Sequence, residues 1–153
     1  MVEPGELLGL IPHGLYLIGV RTEASRFIYT GSWLTKASVE PCLIATAVSR
    51  THEGHEMIHE AGAFTVSFLA KGQLELARVG FGNPEDRFEG LDWKTCPEIG
   101  APVVNGALGY IGCRVVRWVE CGDHDIVIAE AVISESSREG ELLNIHDMPR
   151  TYS

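Results

Sequence analysis

The pattern of hydrophobic and polar positions predicts several short strands and only two short helices. Apolar runs bounded by glycine, proline and small polar residues are typical of strands in a barrel or sandwich. The predicted strands are 15–21, 27–33, 42–48, 63–69, 106–119 and 124–134. The predicted helices are 55–61, which Gly62 would end, and 72–79. The sequence therefore predicts a mainly β fold, a closed or partly closed barrel.

One predicted strand, 42–48, is apolar at nearly every position. A strand of this kind has both faces covered, so we expect a helix or a second subunit to pack on its outer side. By contrast, strand 106–119 alternates, with Cys113 and Val115 on one face and Arg114 on the other. Such alternation indicates a half-buried strand.

The segment 80–102 is rich in glycine and proline and is predicted to be mostly loop. Loops of this length in compact domains are often functional, so Phe81, Phe88 or Trp93 can cap a ligand. Aromatic side chains also anchor loops to a core, and we favour that role for Trp93.

Composition narrows the classes of function. The 153 residues are expected to form one domain, 1–153, with 45% hydrophobic and 22% charged residues, as in soluble globular proteins. A net charge of −9 argues against nucleic-acid and anionic-membrane partners. With no long apolar run and no basic N-terminal cluster, we expect neither a membrane span nor a signal peptide. The four cysteines contain no CxxC and are predicted to be buried free thiols in a reducing cytoplasm.

A polar cluster interrupts the pattern directly after the second predicted strand. It combines three hydroxyls, a glycine, an indole and a cation in seven residues: Thr30, Gly31, Ser32, Trp33, Leu34, Thr35 and Lys36. Glycine allows close approach of backbone to a ring, and hydroxyls and a cation can hold polar or phosphate groups. The cluster predicts a site for a planar cofactor that carries a phosphate.

A second polar cluster follows strand 42–48. It contains Ser49, Arg50 and Thr51, and then His55 at the start of the predicted helix, where the helix dipole favours an anion. On an acidic protein, a gathering of Lys36, Arg50 and His55 would be a distinctive phosphate site. The alternative is structural, since Ser and Thr are common in strands, a lone Trp is usually core, and cations beside loops are usually solvated.

The segment His55-Glu56-Met57-Ile58-His59 matches the HExxH pattern of zinc hydrolases. On a helix, His55 and His59 would share a face and Glu56 could act as general base. No third-ligand motif follows Gly62, and strand signals resume at once, so this is the third hypothesis and we expect no metal. A Rossmann fingerprint and a P-loop are both missing from the sequence.

Six segments together, in this order, resemble the flavin reductase-like family, the FMN-binding split barrels that include flavoredoxins and the reductase components of two-component monooxygenases. The matching segments are 30–49, 55–69, 74–77, 88–93, 100–116 and 122–132, the last of which begins GDH. The resemblance implies a six-stranded split barrel of Greek-key type with short helices, usually a homodimer with flavin near the interface.

The resemblance also assigns roles to residues. Thr30 to Lys36 would line the isoalloxazine and ribityl chain, mostly through backbone, and Ser49, Arg50 and His55 would hold the phosphate. His124, which the residues alone leave as either a charged switch or a turn residue, would lie near the flavin and the nicotinamide. The flavin performs the redox chemistry, so no catalytic acid, base or nucleophile of the protein is expected to be essential.

The implied function is an NAD(P)H-dependent flavin oxidoreductase that uses FMN, with FAD as the alternative, and passes electrons to an acceptor such as a monooxygenase. The second hypothesis is a flavoredoxin-like electron carrier that keeps FMN bound and acts with a protein redox partner.

Three features depart from the family pattern. Gly54 replaces a hydroxyl residue before the helix, and the loop 80–87 is short; both are expected to weaken or retune flavin binding. At the C-terminus only Arg150 and Tyr152 remain of an aromatic and basic ending.

Overall fold

The computed structural model describes residues 1–149, and most of them lie in or beside antiparallel strands. The helices are α1 (Pro4–Leu8), α2 (Glu53–Ala61) and α3 (Leu74–Val79). The strands are β1 (Tyr16–Arg21), β2 (Arg26–Gly31), β3 (Leu34–Ser38), β4 (Leu43–Ser49), β5 (Ala63–Phe68), β6 (Trp93–Thr95), β7 (Pro102–Val104), β8 (Gly109–Cys121) and β9 (His124–Ser136). Single 3-10 turns lie at Pro84–Asp86 and Ile145–Asp147.

Seven strands form one sheet in the order β2-β1-β5-β8-β9-β4-β3, and β6 pairs only with β7. The two edge strands of the large sheet, β2 and β3, are consecutive in the chain and are joined by Ser32 and Trp33 alone. A sheet whose edges are joined by two residues must curl back on itself, which makes it a split barrel. The predicted mainly β barrel is confirmed, with seven strands in the sheet rather than six.

The additional strand is β3, which lies inside the polar stretch predicted to bind a cofactor. Its residues are half-buried or exposed, and Thr35 and Lys36 face solvent. Sequence reasoning missed this strand because an edge strand with exposed polar side chains lacks the apolar alternation that marks a strand.

Other element boundaries differ by a few residues. Helix α2 begins at Glu53, two residues before the predicted start, because the His52 ring Nδ1 accepts a hydrogen bond from Gly54 N (2.9 Å) and caps the helix. It ends at Gly62, which adopts the left-handed conformation (φ 67°) as predicted. Strand β8 begins at Gly109 rather than at 106, where Gly106 has a φ of 85°.

The core fills the barrel and continues over one of its outer faces. Ile18, Val20, Phe64 and Val66 lie in the interior, and Ile58 of α2 packs onto them. A second cluster lies on the outer face, where α3 and the C-terminal segment cover strands β1 and β2. Its buried members are Leu15, Leu17, Ile28, Leu69, Ala77, Val104, Ala107, Leu143 and Met148.

Within the described part of the single chain, only one face of strand β4 is fully covered, and no helix packs on the other; cover by a second subunit stays a prediction. Ile44, Thr46 and Val48 are buried, but Ala45 and Ala47 on the other face are only half-buried. Ala45 and Ala47 are small, so they leave room on the outer side of the strand.

The glycine-rich loop is held by contacts with the barrel. The guanidinium of Arg87 is buried and donates hydrogen bonds to the carbonyls of Ile28 (2.8 Å) and Gly82 (2.9 and 3.1 Å). Trp93 packs edge-on against Phe88 (5.1 Å), and the Arg26 guanidinium lies over its ring (4.7 Å). Trp93 therefore joins Phe88 of the same loop to Arg26 of β2, and its anchoring to the core stays a prediction.

All four cysteines are free thiols, but only Cys96 and Cys113 are buried, whereas Cys42 and Cys121 are exposed. Burial raises the pKa of the Cys113 thiol to about 12. The longest helix in the described part of the chain, α2, has nine residues. None of the helices among residues 1–149 therefore has the length and apolar character needed to cross a membrane.

Candidate functional site

A groove of about 1500 Å³ lies where β2 turns into β3. We call it the corner groove. On one side it is bounded by the β2–β3 corner and β4, and on the other by the N-terminal segment 5–13. Its lining residues are Gly5, Glu6, Leu8, Gly9, Leu10, Ile11, Pro12, His13, Thr30, Ser32, Trp33, Leu34, Thr35, Ala45, Thr46, Ala47, Phe81, Ile126, Ile145, His146 and Met148.

Backbone hydrogen bonds to the C-terminal segment hold the end of the N-terminal segment in place, and the N-terminal segment forms one wall of the groove. Ile145 N donates to the carbonyl of His13 (2.8 Å), and Leu15 N donates to the carbonyl of Leu143 (2.8 Å). The wall is apolar, although its leucines are more than half exposed: Leu7, Leu8 and Leu10.

An aromatic stack stands at the corner. The Trp33 ring is stacked on the His124 ring, with centroids 4.6 Å apart and planes 22° apart, and His13 lies 6.5 Å away at 30°. Trp33 is nevertheless 52% exposed, because it projects from the two-residue link between the strands. Its backbone is fixed, since Ala47 N donates to the Trp33 carbonyl (2.9 Å).

The predicted cofactor stretch divides into two groups. Thr30, Ser32, Trp33, Leu34 and Thr35 line the corner groove. The Thr30 hydroxyl, however, donates to the carbonyl of Ala77 (2.6 Å) and is buried, so it attaches α3 to β2. Gly31 lies outside the groove lining, and a Cβ built on it would lie 2.7 Å from Ile18.

The predicted gathering of Lys36, Arg50 and His55 is wrong in one member. Lys36 pairs with Ile44 at the far end of β4 from Arg50. Ser49 follows Ile44 by five positions, which is about 17 Å at 3.3 Å per residue. Lys36 and Arg50 therefore cannot contact the same phosphate group.

Arg50 and His55 do come together, around a carboxylate that sequence reasoning missed. Asp125 Oδ1 accepts hydrogen bonds from Arg50 Nε (3.0 Å) and Nη2 (2.8 Å), and Asp125 Oδ2 lies 2.8 Å from His55 Nε2. We call these three residues the Asp125 cluster. The hydrogen bonds from Arg50 and then His55 lower the pKa of Asp125 to about 2, so the carboxylate is ionised at neutral pH.

The strand pattern held a signal for Asp125. In β9, Asp125, Val127 and Ala129 are buried and alternate with half-buried residues. The alternation places Asp125 on the buried face, and a carboxylate on a buried face requires donors. Its register neighbour is Val48, one residue before the predicted anion-binding turn.

Ser49 and Thr51 are engaged with each other. Their hydroxyl oxygens are 3.1 Å apart, and Thr51 N donates to Ser49 Oγ (3.3 Å). Arg50 N donates to the carbonyl of Asp123 (3.1 Å), which ties this turn to the β8–β9 hairpin. The predicted anion-binding turn is thus a folded structure beside the Asp125 cluster.

Gly54 is packed rather than open. It is buried in the first turn of α2, and a Cβ at this position would lie 2.8 Å from the Tyr29 ring. A serine or threonine there would clash, so the helix approaches the barrel more closely than a hydroxyl residue allows. The predicted remnant of the family's C-terminal ending, Arg150 and Tyr152, lies outside the described residues.

The HExxH histidines have other partners. His59 stacks flat on Trp118, with centroids 3.8 Å apart and planes 4° apart, and the His55 ring lies 5.0 Å from the Trp118 ring. Within residues 1–149, no group of three or more His, Cys, Asp or Glu side chains is placed to hold a metal ion. The zinc hypothesis therefore finds no third ligand in the described part of the chain.

The groove suits a planar ring system. Its floor is made of Ala45, Ala47 and Ile126, and the flat face of Trp33 stands at its edge. Ser32 and Thr35 add polar backbone and hydroxyl groups along one side. Small apolar residues, one exposed aromatic face and a few polar groups are the usual composition of cofactor sites.

Comparison with known proteins agrees with these features. The family described as "Flavin reductase like domain" matches residues 8–153. The NADH-dependent FAD reductase of Streptomyces globisporus is 30% identical over 149 residues, covering 94% of this chain and 81% of that protein. The structure of the Streptomyces globisporus C-1027 NADH:FAD oxidoreductase superimposes with a TM-score of 0.88 at 27% identity, covering 94% of this chain and 91% of that one.

Some relatives are matched over part of a chain only. The flavin-dependent monooxygenase reductase subunit HsaB of Mycobacterium tuberculosis is 35% identical over 91 residues, 59% of this chain and 48% of that protein. The chain also spans about a quarter (25%) of the length of diflavin flavoprotein A 1 from Synechocystis sp., at 26% identity. The family matches nearly the whole length of this chain, and the fold is that of a flavin reductase. The chain therefore belongs to the flavin reductase like domain family.

Proposed function

We propose that the protein is a flavin reductase, which uses NADH or NADPH to reduce a flavin bound in the corner groove. The observation that carries this proposal is the exposed Trp33 face above the Ala45 and Ala47 floor, beside His124. Family membership and the relatives named as NADH-dependent FAD reductases support it.

The protein residues have positioning roles in this proposal. Trp33 would pack against the ring system, Ser32 and Thr35 would bind its polar edge, and the N-terminal segment would exclude water from one side. A bound flavin supplies the hydride and electron chemistry. His124, fixed by its hydrogen bond to Asp123 (2.7 Å), is the side chain expected to face the nicotinamide.

FMN is the flavin proposed for this chain, with FAD as the alternative, and the proposed acceptor is a monooxygenase component. The monooxygenase reductase subunit among the relatives supports that acceptor. We also propose a cytoplasmic homodimer of single-domain chains. Val116 and Val132 on β8 and β9 are large apolar side chains exposed on the sheet, and a second subunit would cover them.

A second candidate is an electron carrier that retains FMN and exchanges electrons with a protein partner. The match to a diflavin flavoprotein favours it, because this chain corresponds to only a quarter of that longer protein. The two candidates differ in turnover. A carrier loaded with FMN oxidises NADH and NADPH negligibly but is reduced rapidly by a redox partner.

The first experiment is the visible absorption spectrum of the purified protein, with identification of any flavin that heat releases and titration with added FMN and FAD. Binding of flavin, followed by NADH or NADPH oxidation that depends on it, is the expected result. A protein that binds neither flavin would overturn both candidates.

A variant tests the location of the site. Arg50→Ala should weaken FMN binding while the circular dichroism spectrum stays unchanged, because the variant leaves the ionised Asp125 facing the phosphate without its cation. Unchanged FMN affinity in a folded Arg50→Ala protein would contradict the assignment of the phosphate end.

A further inference from the structure

The two side chains expected to hold the flavin phosphate are already engaged inside the protein. Both oxygens of Asp125 accept hydrogen bonds from them, Oδ1 from Arg50 and Oδ2 from His55. The Asp125 and His55 side chains are 12% and 13% exposed, whereas that of Arg50 is 45% exposed. Water therefore screens the Asp125–His55 contact only weakly.

The geometry limits what each partner can offer an anion. Arg50 uses the edge formed by Nε and Nη2 for Asp125, which leaves one edge of its guanidinium. In a neutral imidazole, the proton that bonds Asp125 resides on His55 Nε2, so Nδ1 is an acceptor. In that neutral form, Nδ1 cannot donate to a phosphate oxygen.

The negative charges around Arg50 also weaken the binding of a phosphate. The Arg50 charge is offset by Asp125, and Glu56 and Glu60 line the same surface cavity as Arg50 and His55. A phosphate dianion that approaches Arg50 therefore meets an internal anion and these two further carboxylates, and its binding is correspondingly weakened.

Resting on the proposed function, we propose that Asp125 is a specificity-determining residue that removes the preference for phosphorylated flavin. By engaging Arg50 and His55, it leaves the ring system in the corner groove as the main recognised feature. Riboflavin and FMN then bind with similar affinity.

The test is the ratio of dissociation constants for riboflavin and FMN, measured by quenching of flavin fluorescence in the full-length protein. The wild-type ratio is expected to be within about threefold of one. Asp125→Asn keeps the side-chain shape and removes the charge, and should raise the ratio about tenfold. A change of this size corresponds to deleting a unit charge on the order of 7 Å from an anion at an effective dielectric constant between 20 and 80.

Glu120→Gln is the matched control. It removes one carboxylate charge from the residue opposite Asp125 without breaking a contact to Arg50 or His55, and should leave the ratio within about twofold of wild type. Circular dichroism and urea unfolding show whether each variant is folded. The wild-type ratio tests the proposal even if a variant fails to fold.

The outcomes are distinguishable. A wild-type preference for FMN of about a hundredfold, an unchanged ratio in folded Asp125→Asn, or a lowered ratio in that variant would overturn the inference. A lowered ratio would mean that Asp125 orients Arg50 toward the phosphate. Binding of riboflavin in any of these cases leaves the proposed function intact. Failure of the wild type to bind either flavin would overturn the proposed function and the inference with it.

Discussion

The corner groove and the Asp125 cluster lie at the same end of the barrel, but they differ in what their residues already contact. In the groove, Trp33 is half exposed and Ala45 and Ala47 are small, so surface is available to a ligand. In the cluster, Arg50, His55 and Asp125 satisfy one another. A ligand ring therefore gains contacts that the free protein lacks, whereas a ligand phosphate must compete with an internal partner.

The contrast follows from strand register. Ala47 pairs with Ile126 and Val48 pairs with Asp125, so neighbouring rows of the same two strands face opposite sides of the sheet. The row that faces the groove is apolar and uncovered. The row that faces the barrel interior is covered, and its carboxylate, Asp125, is paired with Arg50 and His55. One hairpin partner, β9, thus contributes to both regions.

The largest effect is expected from filling the groove. Ala47→Phe places a ring on the floor and should weaken binding of riboflavin and FMN equally, by about 10- to 100-fold, since overpacking costs roughly 1–3 kcal/mol. The measurement is fluorescence titration with both flavins. Val39→Phe, at a residue 89% exposed beyond β3, is the matched control and should bind as wild type. A loss specific to FMN would mean that the ring lies elsewhere.

A smaller effect is expected from removing the aromatic face. Trp33→Ala should weaken both flavins by about 3- to 10-fold, because ring stacking contributes roughly 0.5–1.5 kcal/mol. Trp33→Phe should recover part of the affinity. Unchanged binding in Trp33→Ala would mean that the indole stacks on His124 without contacting the ligand, and isothermal titration can check this independently of fluorescence.

These two regions also differ in how far the sequence predicts them. The buried strands are visible as apolar runs, and the stretch 30–36 stands out because hydroxyls, an indole and a cation interrupt that pattern. Strand β3 is missed because its side chains face solvent. The prediction that Lys36 lies near Arg50 fails because closeness in the sequence does not show where a residue lies along a paired strand. That position follows from the strand register, in which Lys36 pairs with Ile44.

Asp125 shows the limit most clearly. Residue types suggest that Arg50 and His55 await an anion, yet their partner is 70 or more residues away in the chain. Pairing of β4 with β9 brings it there. Long-range pairing of this kind is set by the whole sheet, so local patterns alone cannot show which side chains already have a partner.

The next prediction distinguishes groove residues that contact a ligand from groove residues that stabilise the fold. Thr30→Val removes a buried hydroxyl bonded to the Ala77 carbonyl and should lower the free energy of unfolding by about 1 kcal/mol. Flavin affinity should stay within about twofold of wild type. Thr35→Val is the matched control, because its hydroxyl is exposed and bonds only the neighbouring Lys36 carbonyl (3.3 Å), and its stability should be unchanged. Equal stabilities of the two variants in urea would contradict the structural role of Thr30.

The smallest effect is the pH dependence of the cluster's own contribution to stability. Because Arg50 and His55 hold the Asp125 pKa at about 2, below the ordinary value of 3.8, the native state favours the ionised carboxylate. This stabilisation is fully present above about pH 4 and is lost as the pH falls toward 2. The difference in urea midpoint between wild type and Asp125→Asn should therefore narrow from pH 5 to pH 2.5. The difference between wild type and Glu120→Gln should not narrow in this way. A constant difference across that range would mean that the carboxylate is not held by its two donors in solution. Arg50 and His55 would then be available to a ligand phosphate, and the contrast between the cluster and the groove would be lost.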